Sequence, residues 1–99
     1  MAPKRIQRKR TRGWHMPQGA VYVGRPTKWG NPFRIGEPGG DGLPMSREET
    51  IDRYTRYIKT RFDLDLDELR GRDLVCWCAL NVPCHADVLV KLANRQARR

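Results

Sequence analysis

The chain has 99 residues, a formal net charge of +9 and 38% hydrophobic residues, which indicates one small domain with a thin core. No apolar run approaches the about 20 residues that a membrane span needs. The basic N-terminus is not followed by the hydrophobic stretch of a secretory signal. Three unevenly spaced cysteines do not suit a disulfide framework. We therefore predict a cytoplasmic protein that has no membrane partner.

The positive charge is concentrated at the two ends of the chain. Residues 1–12 contain six basic side chains and no acidic one, and residues 91–99 contain four basic side chains and no acidic one. We predict a basic flexible arm over 1–13, a folded domain over 14–94 and a basic tail over 95–99. Such ends attract phosphate backbones by counterion release, without sequence specificity, although they could also serve solubility alone. The predicted nucleic-acid contacts of the arm are Lys4, Arg5, Arg8, Lys9, Arg10 and Arg12.

Predicted elements follow one another in the order β-β-α-(α)-β-α. Residues 20–24 read as a strand, 25–32 as a structured loop and 33–36 as a second short strand. Ser46 begins the clearest helix because Glu49 three residues later completes a capping box. A short helical piece over 63–69, a buried strand over 74–77 and a helix over about 83–94 complete the chain. One face of the first helix is predicted to carry Ile51, Tyr54, Ile58 and Phe62. We predict a small α/β domain with a two- to four-stranded sheet and two main helices.

All three cysteines and one of the two histidines lie within ten residues near the C-terminus. Cys76, Cys78, Cys84 and His85 supply four soft ligands, the number that a structural zinc ion requires. The spacing is unusual, so His15, Asp87 or water could replace one ligand. Two alternatives stay open. The cysteines could be plain core residues, or Cys84 could be a reactive thiol whose pKa is lowered at a helix N-terminus.

The loop that follows the first predicted strand is the second candidate site. Its charged and polar side chains suit a phosphate-bearing ligand, and its aromatic ring suits stacking on a base. The predicted ligand-binding residues are Arg25, Thr27, Lys28, Trp29 and Asn31. A rigid turn with Trp29 and Phe33 packed in the core is the alternative. Because parallel strand ends form the usual ligand crevice of α/β sheets, we expect this loop to face the cysteines.

Two segments together resemble a known family. Gly24-Arg25-Pro26 with Trp29-Gly30-Asn31-Pro32-Phe33, and Cys76-Trp77-Cys78 with Cys84-His85-Ala86-Asp87, are similar to domain of unknown function 4326. That family occurs in bacteria and in tailed phages, and the resemblance covers roughly residues 20–94. It implies that the loop and the cysteine segment belong to one site. If the protein is phage-encoded, the predicted location is the host cytoplasm.

Three functions remain open at this point. The leading hypothesis is a phage-type accessory protein that binds zinc and contacts nucleic acid through its basic tails. The second is an enzyme acting on a nucleotide or nucleobase, with Cys84, His85 and Asn31 as candidate catalytic residues. Zinc deaminase chemistry is disfavoured because its His-x-Glu pair is missing. The third is a protein-interaction module or host-factor inhibitor in which the cysteines are structural.

Overall fold

A computed structural model describes residues 3–94 of the chain, so the predicted tail over 95–99 lies outside the described residues. The strands are β1 (Arg5–Gln7), β2 (Val21–Tyr22) and β3 (Leu74–Cys76), and the helices are α1 (Arg47–Lys59) and α2 (His85–Ala93), with a 3-10 helix at Leu66–Leu69. The prediction of a small α/β domain is confirmed. Within the described part, no helix has the length and apolar character to cross a bilayer.

The three strands form a parallel sheet with β3 in the centre, in the order β1-β3-β2. Ile6 and Tyr22 both lie opposite Val75. All three residues of β3 are buried, as expected for a parallel strand that is covered on both faces. Because the strands are parallel, their carboxyl ends meet at one edge. The loop after β2 and the cysteine segment after β3 therefore start from neighbouring positions.

The N-terminal strand β1 corrects the prediction of a flexible arm over residues 1–13. Leu74 N donates to Lys4 O at 3.0 Å, and Arg8 N donates to Cys76 O at 2.6 Å. The prediction is wrong for Arg5–Gln7 because strand pairing uses backbone groups, which a charged sequence supplies as well as an apolar one. The hydrogen bonds between β1 and β3 join residues that lie almost seventy positions apart in the sequence. Local sequence patterns do not reveal such a pairing.

The strand predicted over 33–36 does not form. Phe33 N donates to the Asn31 side chain at 2.9 Å, which closes a turn. Gly36 has a φ of 88°, a left-handed conformation that suits glycine and bends the chain. Gly36 N then donates to Met45 O. These local bonds replace the strand ladder that the alternating residues suggested.

Helix α1 begins where its capping residue predicts. The Ser46 hydroxyl accepts a hydrogen bond from Glu49 N at 3.0 Å, which satisfies one of the free N–H groups of the first turn. Tyr54 and Ile58 are buried against the sheet-side core, whereas Phe62 is 92% exposed. Phe62 departs from the predicted face because the helix ends at Lys59. Helix α2 follows Cys84 and packs against α1 and β3.

Candidate metal centre and pocket

Three cysteines meet at the carboxyl edge of the sheet. Cys76 ends β3, Cys78 follows it after one residue, and Cys84 is the N-cap residue of α2. Their three Sγ atoms all lie within 4.8 Å of one another, and those of Cys76 and Cys84 are 3.0 Å apart. Cys76 and Cys84 are buried and Cys78 is half-buried. This thiol cluster offers three soft ligand atoms at one point.

The Arg5 side chain holds the loop that carries Cys78. Its guanidinium is 8% exposed and pairs with Asp87 at 2.9 Å. It also donates to the carbonyl oxygens of four residues in the loop between β3 and α2; these residues are Cys78, Ala79, Leu80 and Val82. A rigid fork with five N–H donors suits several acceptors at once. Arg5 therefore fixes a segment that has no regular secondary structure of its own.

Charge in the thiol cluster is drawn to Cys78. Hydrogen bonds from Cys76 and Cys84, together with the Arg47 guanidinium, lower the pKa of the Cys78 thiol. The Arg47 Nη1 atom lies 3.8 Å from the Cys78 sulfur. Hydrogen bonding to the neighbouring sulfurs and burial raise the pKa of Cys84. Cys78, the most exposed of the three sulfurs, is therefore the thiol on which a negative charge is most favoured.

His85 lies beside the cluster without joining it. Its Nε2 atom is 2.8 Å from Val23 O, and since a carbonyl only accepts, Nε2 carries the proton and Nδ1 keeps a lone pair. Nδ1 is 3.6 Å from the Cys84 sulfur. Burial lowers the pKa of His85, which favours the neutral ring. The group of ligand atoms within 4.8 Å of one another contains the three cysteines and not His85.

A pocket of about 620 Å³ opens over the thiol cluster. The loop after β2 and the cysteine segment both line it, which confirms the expectation that these two segments face each other. Arg25, Arg34 and Arg47 contribute three positive charges to its wall, against one negative charge from Glu37. A volume in this range suits a small organic ligand, and the excess of arginine suits an anion.

Two residues of the predicted ligand loop reach this pocket, and both also hold the loop itself. Arg25 Nε donates to Asn31 O at 2.8 Å. Asn31 is only 8% exposed, and its side-chain nitrogen donates to Thr50 O at 3.4 Å. Asn31 is therefore a turn-forming residue as well as a lining residue, so its replacement would lower stability in addition to any effect on binding.

The other three predicted ligand-binding residues do not line the pocket. Thr27 donates its hydroxyl to Gly24 O at 2.5 Å, and Lys28 pairs with Glu68 at 2.9 Å on the surface. Trp29 is 3% exposed and belongs to the hydrophobic core. A buried ring has no face to offer a base, so the alternative of a packed turn holds for Trp29.

The basic residues of the predicted arm have different environments. The Arg5 guanidinium is already bonded to Asp87 and to the loop after β3, which is a structural use that the predicted nucleic-acid contact did not include. Lys4, Lys9 and Arg12 are exposed. Arg8 and Arg10 lie over the Trp77 ring, with Cζ 5.2 Å and 4.7 Å from its centroid. The arm therefore supplies both a structural residue and a set of surface charges.

Comparison with known proteins identifies the family. The family model for DUF4326, a domain of unknown function, matches residues 6–95. The chain belongs to this family. The match begins at the second residue of β1, which agrees with the place of that strand in the folded domain. No curated protein and no solved structure shows significant similarity to the chain.

Sequence patterns missed Arg47 as a pocket residue, although a local signal exists. Arg47 is the first residue of α1, where a positive charge is disfavoured by the helix dipole. A basic residue at that position destabilises the helix start, which suggests that its side chain contacts another part of the protein. Arg47 in fact contacts Cys78 and Pro83 O. For Arg5 no comparable signal exists, because its partners lie more than seventy residues away.

Proposed function

We propose that the protein binds zinc through Cys76, Cys78 and Cys84 and contacts nucleic acid with its basic N-terminal surface. The meeting of three sulfur atoms within 4.8 Å carries the proposal. Thiolates at a Zn–S distance of about 2.3 Å in a tetrahedral site lie about 3.8 Å apart. Small side-chain movements would bring the three sulfurs to that spacing.

The fourth zinc ligand distinguishes two kinds of site. Structural zinc has four protein ligands, whereas a catalytic zinc keeps one position for water or substrate. His85 Nδ1 has a free lone pair near Cys84 but lies outside the group of three sulfurs. We assign the three cysteines as the ligands and leave the fourth position to a molecule from the pocket.

The pocket supports a phosphate-bearing ligand for that position. Arg25, Arg34 and Arg47 line it together with the thiol cluster, so an anion bound by the arginines would lie next to the metal. This arrangement favours, as a second candidate function, an enzyme acting on a nucleotide. Nucleotide turnover that stops when zinc is chelated and returns when zinc is added back would support this second function.

The metal assignment predicts one zinc ion per chain after purification from zinc-supplemented medium. Elemental analysis gives the stoichiometry, and replacement by Co²⁺ gives the absorption of thiolate coordination. We expect Cys78→Ser to lose most of the metal because it removes one of three ligands, and Cys78 is half-buried, so the fold tolerates the change. Circular dichroism of this variant verifies that it is folded.

Arg34→Gln is the matched control, since it changes the pocket without touching a sulfur. It should retain the metal in full. His85→Ala tests whether His85 is the fourth zinc ligand. If this variant retains the metal, the protein supplies three ligands. A folded wild-type protein with three titratable free thiols and no metal, even after zinc is added, contradicts the assignment.

The nucleic-acid part of the proposal rests on surface charge that the fold leaves unpaired. Within residues 3–94, none of Arg8, Lys9, Arg10 and Arg12 takes part in an ion pair. Removing the whole N-terminus would also remove β1, so the test uses substitutions. We expect the triple variant Lys9→Gln, Arg10→Gln, Arg12→Gln to bind DNA more weakly, with a salt dependence shallower by about two to three phosphate contacts.

Fluorescence anisotropy at several salt concentrations measures this slope. The control is Lys59→Gln, Arg56→Gln, which removes charge from the far end of α1. Equal affinity and equal slope for the wild type and the N-terminal triple variant would show that the basic segment does not contact nucleic acid.

A further inference from the structure

Two aromatic rings and two arginines form a continuous strip across the carboxyl edge of the sheet. Arg8 Cζ lies 4.7 Å from the centroid of the Tyr22 ring and 5.2 Å from that of Trp77. Arg10 Cζ lies 4.7 Å from the Trp77 centroid. The strip thus runs through Tyr22, Arg8, Trp77 and Arg10, and we refer to these four residues as the aromatic strip. Its members come from the end of β2 and from the chain directly after β1 and β3.

The aromatic strip is open to ligand at the mouth of the pocket. Trp77 is 40% exposed, and both Trp77 and Tyr22 line the pocket above the thiol cluster. The Tyr22 ring is fixed, because its hydroxyl donates to Arg25 O at 2.9 Å. A Cβ at Gly24 would come within 2.5 Å of that hydroxyl, so the Tyr22 ring can occupy this position only because residue 24 is glycine.

The charges of the aromatic strip are available to a partner. Neither arginine forms an ion pair within the described residues, and Lys9 next to them is exposed. The backbone of Arg8 is held by its hydrogen bond to Cys76 O, and its guanidinium contacts both the Tyr22 and the Trp77 ring, so this charge stands at a defined position. A surface with fixed positive charges between aromatic rings complements a polymer that alternates phosphates and bases.

We propose that the aromatic strip binds single-stranded nucleic acid, with an unpaired base stacked on Trp77 and backbone phosphates at Arg8 and Arg10. A nucleotide next to the stacked base then enters the pocket, where three further arginines lie. This inference rests on the nucleic-acid part of the proposed function and specifies the strand class. A duplex cannot use the strip in this way because pairing and stacking hide the faces of its bases.

The test measures binding of the zinc-supplemented full chain to a labelled oligothymidylate of about 12 nucleotides, within the usual site size for such proteins. A duplex of the same length is the comparison. We expect the single strand to bind more tightly. We expect Trp77→Leu to weaken single-strand binding by roughly 5- to 150-fold, the loss typical of one stacked base, with an unchanged salt slope because no charge is removed. Trp77→Phe retains a ring and should recover part of the affinity.

Phe62→Ala is the matched control, since Phe62 is an exposed aromatic residue that does not border the pocket. It should bind as the wild type does. Arg10→Gln should weaken binding and make the salt slope shallower. If Arg10→Gln has this effect and Trp77→Leu has none, the strip does not stack bases, although the basic surface still contacts nucleic acid. Tighter binding to the duplex, or equal competition by polyglutamate, also overturns the inference.

Discussion

The guanidinium of Arg5 is nearly enclosed although it carries a full charge. Burial of an ion is tolerated when the ion is paired and its hydrogen-bonding groups are satisfied. Arg5 meets both conditions through Asp87 and the carbonyl oxygens of the loop after β3. The residue consequently links the N-terminus, the cysteine loop and α2, which are far apart along the chain.

We expect Arg5→Met to lower the free energy of unfolding by about 2 kcal/mol, because Val82 O and its neighbours lose their donor. Asp87 is half-exposed, and water limits the cost of losing the ion pair. Urea unfolding at fixed zinc concentration measures the change. Arg12→Met, at an exposed position, should stay within about 0.5 kcal/mol of the wild type. A similar small change for Arg5→Met would contradict its structural role.

Single residues also show the limit of reading the site from the sequence. The proximity of Cys76, Cys78 and Cys84 could be predicted, since all three lie within nine residues across one strand end and one helix start. The roles of Trp29 and Trp77 could not. Trp29 lies in a loop rich in proline and glycine, and Trp77 ends an apolar run that predicts a buried strand. Tertiary packing nevertheless buries the first and leaves the second at the pocket mouth.

At the scale of elements, α1 supports the loop that lines the pocket. The Tyr54 hydroxyl donates to Trp29 O at 2.7 Å in the interior, and burial raises the pKa of Tyr54, so the hydroxyl stays protonated. Thr50 O, one turn earlier, accepts from Asn31. The helix thus holds the loop at two points. A helix side chain donates to a loop carbonyl oxygen, and a loop side chain donates to a helix carbonyl oxygen.

Tyr54→Phe removes the bond to Trp29 O without changing the packed ring. We expect a loss of about 1–2 kcal/mol in the free energy of unfolding, because the buried carbonyl oxygen of Trp29 loses its hydrogen-bond donor. Thermal or urea denaturation measures it. Tyr57→Phe is the control, since within residues 3–94 the Tyr57 hydroxyl accepts a hydrogen bond only from the partly exposed Arg61. Equal stability of the two variants would show that the Trp29 bond is not needed.

Elements with strong local signals were predictable and those held by distant partners were not. The cap at Ser46 and the apolar spacing of Tyr54 and Ile58 locate α1, and the buried run at Leu74–Cys76 locates β3. Strand β1 consists of Arg5, Ile6 and Gln7, a sequence without strand character. Its pairing depends on β3, so nothing near it in the sequence indicates it.

At the scale of the whole molecule, the parallel sheet accounts for the site. Loops that follow β2 and β3, and the chain that follows β1, all leave from one edge. That edge therefore gathers the thiol cluster, the arginines of the pocket and the aromatic strip, whereas the opposite edge receives none of them. Parallel pairing of the first predicted strand with the cysteine strand was sufficient to predict the pocket. The contribution of β1, which places Arg5 against the cysteine loop, was not predicted.

The central position of β3 also determines when the protein can acquire its sheet during synthesis. Among the residues that the structure describes, both β1 and β2 pair only with β3, and β3 is the last of these three strands to be made. A nascent chain that ends before Leu74 has two strands and no partner for either. Nearly the whole domain must leave the ribosome before these strands can pair, and the contacts of Arg5 are completed only by Asp87, 82 residues later in the sequence. The sheet therefore forms only once β3 has been translated, rather than in stages along the chain.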